Sequence, residues 1–134
     1  MNFEDPIFWE HYENPSHENQ GSIDKFLVHL ALCHSILVDE KSGKYNASSP
    51  DELALVNAGK FFGAEFKKMD EQNNLIVDFR GEVRKYKLLN ILEFNSTRKR
   101  MSVIIEDYKQ NQDGSKDIYI LTKGADSIII PRLN

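Results

Sequence analysis

The sequence predicts an α+β domain in which helices flank a twisted antiparallel β-sheet. Two observations favour this class: the two strongest helical patterns come first, between residues 22 and 62, and a meander of strand-like segments follows them. A parallel sheet would instead need a crossover, usually a helix, between successive strands. We expect about five or six strands, and the apolar run Val103–Ile105 predicts a central strand that is buried on both faces.

The first helix is predicted over residues 22–38, with Ser22 as its N-cap and Asp24 near the positive end of the helix dipole. Helical spacing predicts one buried face made of Ile23, Phe26, Leu27, Leu30, His34 and Leu37. On that face His34 is interpreted as a core histidine. Residues 41–44 form a turn.

Residues 1–21 are expected to form a partly ordered lead-in segment. They contain prolines, glycine and many polar residues, together with an apolar cluster: Phe3, Ile7, Phe8, Trp9 and Tyr12. This cluster either docks on the core as a short helix or belongs to a linker. Residues 22–134 are expected to form the domain itself, and its abrupt ending suggests that the domain is truncated at its C-terminus.

The second helix has clear boundaries. Ser49 caps it, Pro50 takes the first helical position, Glu52 completes a capping box and Gly63 ends it. The purely structural interpretation of Glu52 is that of a capping residue. Strands are then predicted at 64–69, 75–79, 83–92, 100–108 and 117–122. Gly124 breaks the last strand, and a helix begins after it.

Composition and charge exclude several classes. The one cysteine, Cys33, allows neither an intrachain disulfide nor a cysteine-based zinc site, and His11 and His17 lack further ligands nearby, so no metal site is predicted. No apolar run approaches the roughly 20 residues that span a bilayer. The net charge of −4 includes a local excess of +5 within residues 80–100. That excess indicates either an anionic ligand or a solvated strand face.

Enzyme signatures such as a Walker loop, a nucleophile elbow or a zinc-protease helix are not found in the sequence. The sequence does contain the ingredients of a nucleotide site. Phe94 ends one strand before the donor-rich loop 95–100, and Lys123 ends another strand. Aromatic rings stack on bases, and cationic side chains pair with phosphate. A core position for Phe94 is the structural alternative.

Five segments, read in order, resemble the nucleotide-binding domain of the type IV P-type ATPases, the phospholipid flippases. They are LALCH at 30–34, YNASSPDELALV at 45–56, LLNILEFNSTRKRMSV at 88–103, YILTKGADSII at 119–129 and PRL at 131–133. The resemblance covers residues 22–133. The segments at 45–56 and 88–103 are more similar to the lipid-transporting branch than to cation pumps.

The resemblance implies a role for individual residues. Phe94 matches the aromatic residue that stacks on adenine, Lys123 matches the lysine on the floor of the adenosine pocket, and Glu52 matches the acid near the adenine amino group. The other implied nucleotide-binding residues are Ser96, Lys99, Asn95 and Asp51, of which Asn95 and Asp51 have a structural role as their alternative. No catalytic residue is implied.

The resemblance also implies a setting: a cytosolic domain of an integral membrane protein that transports phospholipid. ATP would be held here so that its γ-phosphate is transferred to an aspartate elsewhere in the parent chain, with Mg²⁺ screening the phosphates. Phosphorylation and actuator domains would be the partners. The Asp-Lys-Thr-Gly segment that carries this aspartate is not in the sequence. We therefore expect weak ATP binding without turnover.

Two other functions are compatible with the basic stretch at 80–100. A single-stranded nucleic acid could stack on Phe94 and Tyr86, or an acidic protein partner could bind the basic strand. The acidic composition of the chain counts against nucleic acid, because nucleic-acid-binding domains usually present a broad basic surface.

Overall fold

A computed structural model describes residues 2–134. In chain order its elements are α1 (Pro6–Glu13), α2 (Gln20–Leu32), β1 (Leu37–Val38), β2 (Tyr45–Asn46), α3 (Pro50–Phe61), β3 (Ala64–Met69), β4 (Asn74–Phe79), β5 (Glu82–Leu92), β6 (Arg100–Gln110), β7 (Lys116–Gly124) and α4 (Asp126–Ile129), followed by a 3₁₀ turn at Ile130–Arg132. No helix within this described part is long and apolar enough to cross a membrane.

The main sheet is a five-stranded antiparallel meander in the order β3-β4-β5-β6-β7. Each strand pairs with the next along the chain, so short turns are enough to connect them. The predicted α+β class and the antiparallel sheet are therefore confirmed. A separate two-stranded sheet, β1-β2, was not predicted.

The core lies between this sheet and the two longer helices. Leu27 and Ala31 of α2 and Val56 of α3 are almost fully buried, as are Phe66 of β3 and Val103 of β6. Burial of an aliphatic or aromatic side chain contributes about 1.5–3 kcal/mol, so these contacts hold the helices on the sheet.

The first predicted helix, residues 22–38, differs from the observed helix α2, which both begins and ends earlier in the chain. It starts at Gln20 and ends at Leu32, and the proposed cap Ser22 lies inside it. Leu37 belongs to β1, which pairs with β2. Phe26 and Leu37, which were predicted to be buried, are each 61% exposed.

The early helix end has a local cause. His34 is buried, and its ring nitrogens bond to Ala31 O at 2.8 Å and to Ile36 N at 3.0 Å. These side-chain-to-backbone bonds give the chain an alternative to helical hydrogen bonds. Cys33 has already left the helical region, with φ −88° and ψ 75°. Helical periodicity cannot detect such a break, because the apolar spacing continues through it.

The expected burial of β6 on both faces is found only in part. Val103 and Ile105 are buried against the helices, but Ile104 faces the other side of the sheet and is only partly buried. Its neighbour on β7, Ile120, is 67% exposed. Ser102, on the same side of the strand as Ile104, is buried, and its hydroxyl lies 2.8 Å from Thr122 Oγ1, so the second side of β6 is covered only in part.

The lead-in segment contains a helix, α1, that contacts the domain. The Tyr12 hydroxyl donates to Phe62 O at 2.6 Å. The Arg80 guanidinium lies 3.9 Å from the centre of the Tyr12 ring and bonds Asp24 Oδ1 at 2.8 Å. Arg80 therefore joins α1 to α2 and to the sheet.

Candidate functional site

The loop between β5 and β6 presents Phe94. Its ring is 62% exposed, so the core position considered for it is wrong. Asn95 organises the loop, because its Oδ1 accepts from Thr97 N at 3.1 Å and Arg98 N at 2.7 Å, while its carbonyl accepts from Lys99 N at 2.8 Å. The loop therefore holds its shape through Asn95 and leaves the aromatic face of Phe94 accessible.

Glu52 lies in the first turn of α3, where the predicted cap is found. Ser49 Oγ accepts from Glu52 N at 3.4 Å. The Glu52 carboxylate does not complete the predicted capping box. It accepts instead from Ser35 N at 2.9 Å, Ser35 Oγ at 3.0 Å and Lys123 Nζ at 3.0 Å. These three donors come from segments that are distant in sequence, so they outcompete the local capping contact.

Lys123 reaches Glu52 from the end of β7. The next residue, Gly124, allows this end of the strand to approach β6 closely. A side-chain carbon at position 124 would lie 2.6 Å from Lys99 O and 2.7 Å from Arg100 Cβ. Ala125 N also donates to Lys99 O at 3.1 Å. The absence of a side chain at Gly124 thus brings the Lys123 strand against the loop that carries Phe94.

These elements surround one cavity of about 620 Å³. Its lining includes Phe94, Lys123, Glu52 and Asp51, whose segments are separate in the sequence. The remaining lining residues are Ser35, Ser48, Ser49, Leu55, Glu93, Met101 and Gly124. The volume is within the range of small-molecule sites, about 300–1,000 Å³.

Two buried titratable groups lie at the cavity: Glu52, which lines it, and His34, the neighbour of Ser35 in the chain. Burial would by itself raise the pKa of Glu52, but the Ser35 N–H and the Lys123 ammonium hold this pKa below its usual value. Burial lowers the pKa of His34 to about 4, although Ala31 O favours the charged ring. At neutral pH Glu52 is therefore ionised and His34 is neutral, with its proton on Nε2 because Nδ1 accepts from Ile36 N.

The structure brings four of the seven predicted site residues to the cavity: Phe94, Lys123, Glu52 and Asp51. Asn95 shapes the loop through backbone contacts, as in its structural alternative. Ser96 and Lys99 are exposed on the same loop and are not among the residues that line the cavity. Lys99 has a positive φ of 50°, which belongs to the turn geometry.

Ser35 and Gly124 contribute to the site, and the sequence interpretation missed both roles. Ser35 was placed inside the first predicted helix, where its side chain would have had no reason to meet Glu52. Gly124 was interpreted only as a strand breaker. For Gly124 the available signal was its position directly after Lys123 at a strand end, since glycine at such a place often marks close backbone approach.

The basic stretch at 80–100 is not a continuous free surface. Arg80 pairs with Asp24, Arg84 lies 4.6 Å from the Phe79 ring centre, and Lys85 lies 4.7 Å from that of Tyr108. Tyr86, the second platform suggested for nucleic acid, is only 6% exposed. This arrangement gives little support to a nucleic-acid surface on β5.

A second cavity of about 460 Å³ lies between α2 and strands β5–β7. Phe26, His29, Arg84 and Tyr119 are among its lining residues, and none of the predicted nucleotide-binding residues lines it. Ligand binding in this cavity would therefore affect different residues from binding at the predicted site.

Comparison with known proteins gives the family. A family model of the P-type ATPase cytoplasmic domain N matches residues 22–134. Phospholipid-transporting ATPase IC of Homo sapiens is 40% identical over 131 residues, which cover 95% of this chain and 10% of that protein. Phospholipid-transporting ATPase DRS2 of Saccharomyces cerevisiae is 42% identical over 125 residues, with 90% and 9% covered.

A plant relative agrees with these matches. Probable phospholipid-transporting ATPase 7 of Arabidopsis thaliana is 46% identical over 123 residues, which cover 87% of this chain and 9% of that protein. The chain thus spans about a tenth of the length of these relatives. Because the family model covers most of the chain and all three relatives share one description, the chain belongs to the P-type ATPases as a cytoplasmic domain N, of the kind found in phospholipid-transporting ATPases.

Proposed function

We propose that this domain binds ATP by its adenosine end in the cavity beside Phe94. One observation carries the proposal: Phe94, Lys123 and Glu52, which are separated by tens of residues, line the same cavity. The exposed ring of Phe94 offers a stacking face for a purine, and base–aromatic stacking contributes about 1–3 kcal/mol per base.

The charges around the cavity favour the base over the triphosphate as its occupant. Three carboxylates line it, from Asp51, Glu52 and Glu93, but only one ammonium, that of Lys123. That ammonium is already bonded to Glu52. A triphosphate inside the cavity would meet net negative charge, so the phosphates belong outside it, and the exposed Lys99 is the implied cation on the neighbouring loop.

The expected affinity is low. Stacking and one or two charge-assisted hydrogen bonds, at about 1.5–3 kcal/mol each, oppose an association cost of at least about 4 kcal/mol. Because the Lys123 ammonium already donates to Glu52, its hydrogen bond to ATP should contribute at the lower end of that range. The surplus is a few kcal/mol, which corresponds to a dissociation constant near the millimolar range.

In the full-length protein, ATP held here would pass its γ-phosphate to an aspartate of a phosphorylation domain, and an actuator domain would complete the cycle. Mg²⁺ would accompany the phosphates, and no residue of this chain is assigned to it. The parent activity would be phospholipid transport, as the names of the relatives state for those proteins. This chain would then act as the cytosolic nucleotide-binding part of an integral membrane protein.

Chemical-shift mapping with ATP tests the proposal. Backbone and side-chain resonances of the chain are followed while ATP is added to millimolar concentration. We expect the largest changes at residues 94, 52 and 123 and little change around Phe26 in the second cavity. Changes concentrated on the second cavity or spread along the basic residues of β5 would contradict the proposed site.

A further inference from the structure

The segment between α2 and β1 contains Ser35, which contacts Glu52, and is held in place by the neighbouring His34. The His34 ring spans it, donating from Nε2 to Ala31 O at 2.8 Å and accepting at Nδ1 from Ile36 N at 3.0 Å. The same ring packs edge-on against Phe66, with 4.4 Å between the ring centres. Ser35 therefore projects from a fixed point of the core.

Ser35 donates hydrogen bonds to both oxygens of the Glu52 carboxylate. Its backbone N–H donates to Oε1 at 2.9 Å, and its hydroxyl donates to Oε2 at 3.0 Å. Lys123 adds a third bond, to Oε1 at 3.0 Å. A carboxylate rotates freely when it is held by one donor, whereas these three donors fix both its position and the plane of its oxygens.

One acceptor site of the Glu52 carboxylate has no hydrogen-bond donor among the described residues. A carboxylate offers about four acceptor sites, two on each oxygen. Among residues 2–134, donors fill both sites of Oε1 and one site of Oε2. Glu52 also lines the cavity, and Oε2 is the carboxylate oxygen that has an acceptor site left for a ligand there.

We propose that Ser35 is a positioning residue for purine selection: it fixes the Glu52 carboxylate so that the open acceptor site meets the amino group of adenine and opposes the carbonyl oxygen of guanine. This inference rests on the proposed ATP-binding function. Adenine carries a donor at the ring position where guanine carries an acceptor. Selection by a polar site is strong when the wrong ligand leaves the buried group without a partner.

The first test measures the geometry without any nucleotide. Ser35→Ala removes the hydroxyl but keeps the backbone donor, and Ser35→Thr restores a hydroxyl. The carboxyl carbon of Glu52 is titrated by NMR in wild type and both variants. We expect Ser35→Ala to raise the pKa of Glu52 and Ser35→Thr to return it toward the wild-type value.

The second test measures selection. ATP and GTP are titrated into wild type, Ser35→Ala, Ser35→Thr and the control Ser22→Ala, which changes an exposed serine of α2 that lines neither of the two cavities described above. We expect Ser35→Ala to reduce the ATP-over-GTP affinity ratio about 2- to 10-fold, the range set by one net hydrogen bond. Ser22→Ala and Ser35→Thr keep the ratio.

The outcomes separate the two proposals. If wild type prefers ATP but Ser35→Ala keeps the full ratio, the role of Ser35 is wrong and the ATP site stands. If wild type binds neither nucleotide at millimolar concentration, both proposals fail. Should Ser35→Ala not fold, Glu52→Gln replaces it: this variant must lose the preference for ATP, and an unchanged ratio overturns the inference.

Discussion

The Lys123 ammonium lies 3.0 Å from Glu52 Oε1, although 71 residues separate the two in sequence. Glu52 is almost buried, so the pair is shielded from solvent on the carboxylate side. The contact joins the end of β7 to the first turn of α3, and both residues line the cavity. It also means that Lys123 is not a free cation waiting for phosphate.

The Lys123–Glu52 pair is predicted to stabilise the fold as a unit. Lys123→Met should lower the free energy of unfolding by about 1–3 kcal/mol, because a nearly buried carboxylate loses its cation. In the double variant Lys123→Met/Glu52→Gln the loss should be smaller than the sum of the single losses, by at least about 0.5 kcal/mol. Urea unfolding of the four proteins measures this coupling. Strict additivity would show that the contact carries no energy.

The chain should lose stability on acidification at pH values above those at which carboxylates usually titrate. Because burial lowers the pKa of His34 from 6.5 to about 4, the unfolded state binds more protons between these values, and stability falls as pH drops from 6.5 toward 4. The full effect is about 3 kcal/mol. Glu52 and Lys123 both act on this ring, and their opposing influences are smaller than that of burial.

The check is the pH dependence of urea unfolding in wild type and in His34→Gln. The variant should be less stable at pH 7. Its free energy of unfolding should change much less with pH between 6.5 and 4.5 than that of wild type. His29, whose pKa burial also lowers, contributes to the same slope, so His29→Gln is measured alongside. An identical slope in wild type and His34→Gln would contradict the assignment of a buried, neutral His34.

Gly124 is predicted to tolerate no side chain. Gly124→Ala would place a carbon 2.6 Å from Lys99 O, which is backbone and cannot move without shifting the Phe94 loop. We expect a loss of about 1–3 kcal/mol in stability and weaker ATP binding. The matched control is Gly21→Ala in α2, where nothing lies within 4 Å and alanine should stabilise by up to about 1 kcal/mol. Equal effects of the two variants would refute the close approach.

The chain alone is predicted to release no phosphate from ATP. Phosphoryl transfer depends mainly on positioning and electrostatic stabilisation, and the sequence holds no Asp-Lys-Thr-Gly acceptor segment. A phosphate-release assay with ATP and Mg²⁺ should match the enzyme-free rate. Release that persists after repurification and disappears in Phe94→Ala would contradict this prediction.

Much of the fold was predictable because local signals agreed with it. The meander β3–β7 follows from strand-like segments separated by turn residues, and Ser49-Pro50 marks the start of α3. The end of α2 was not predictable from periodicity, because the apolar spacing continues through it while the His34 ring bonds Ala31 O and Ile36 N, which a continuing helix would use. The partial exposure of the Ile104 side of β6 was missed, because an apolar run does not show how much of each face other elements cover.

The site was predictable by resemblance more than by pattern. Phe94 and Lys123 already stand out at strand ends, the matching segments add Glu52 and give all three a role, and the fold brings them to one cavity. The bonds inside the cavity were not predictable, since the Ser35–Glu52 and Lys123–Glu52 contacts join residues 17 and 71 positions apart. Only the packing of α2, α3 and β7 decides that these side chains meet.

The most direct measurement of the central claim is an ATP titration of wild type, Phe94→Ala and Phe26→Ala. The two phenylalanines are matched: their rings are 62% and 61% exposed, and each lines a different cavity. The account predicts millimolar binding by wild type and Phe26→Ala, and no detectable binding by Phe94→Ala, because the loss of about 1–3 kcal/mol of stacking moves a millimolar dissociation constant beyond the titrated range. Unchanged binding by Phe94→Ala, or loss of binding by Phe26→Ala, would contradict it.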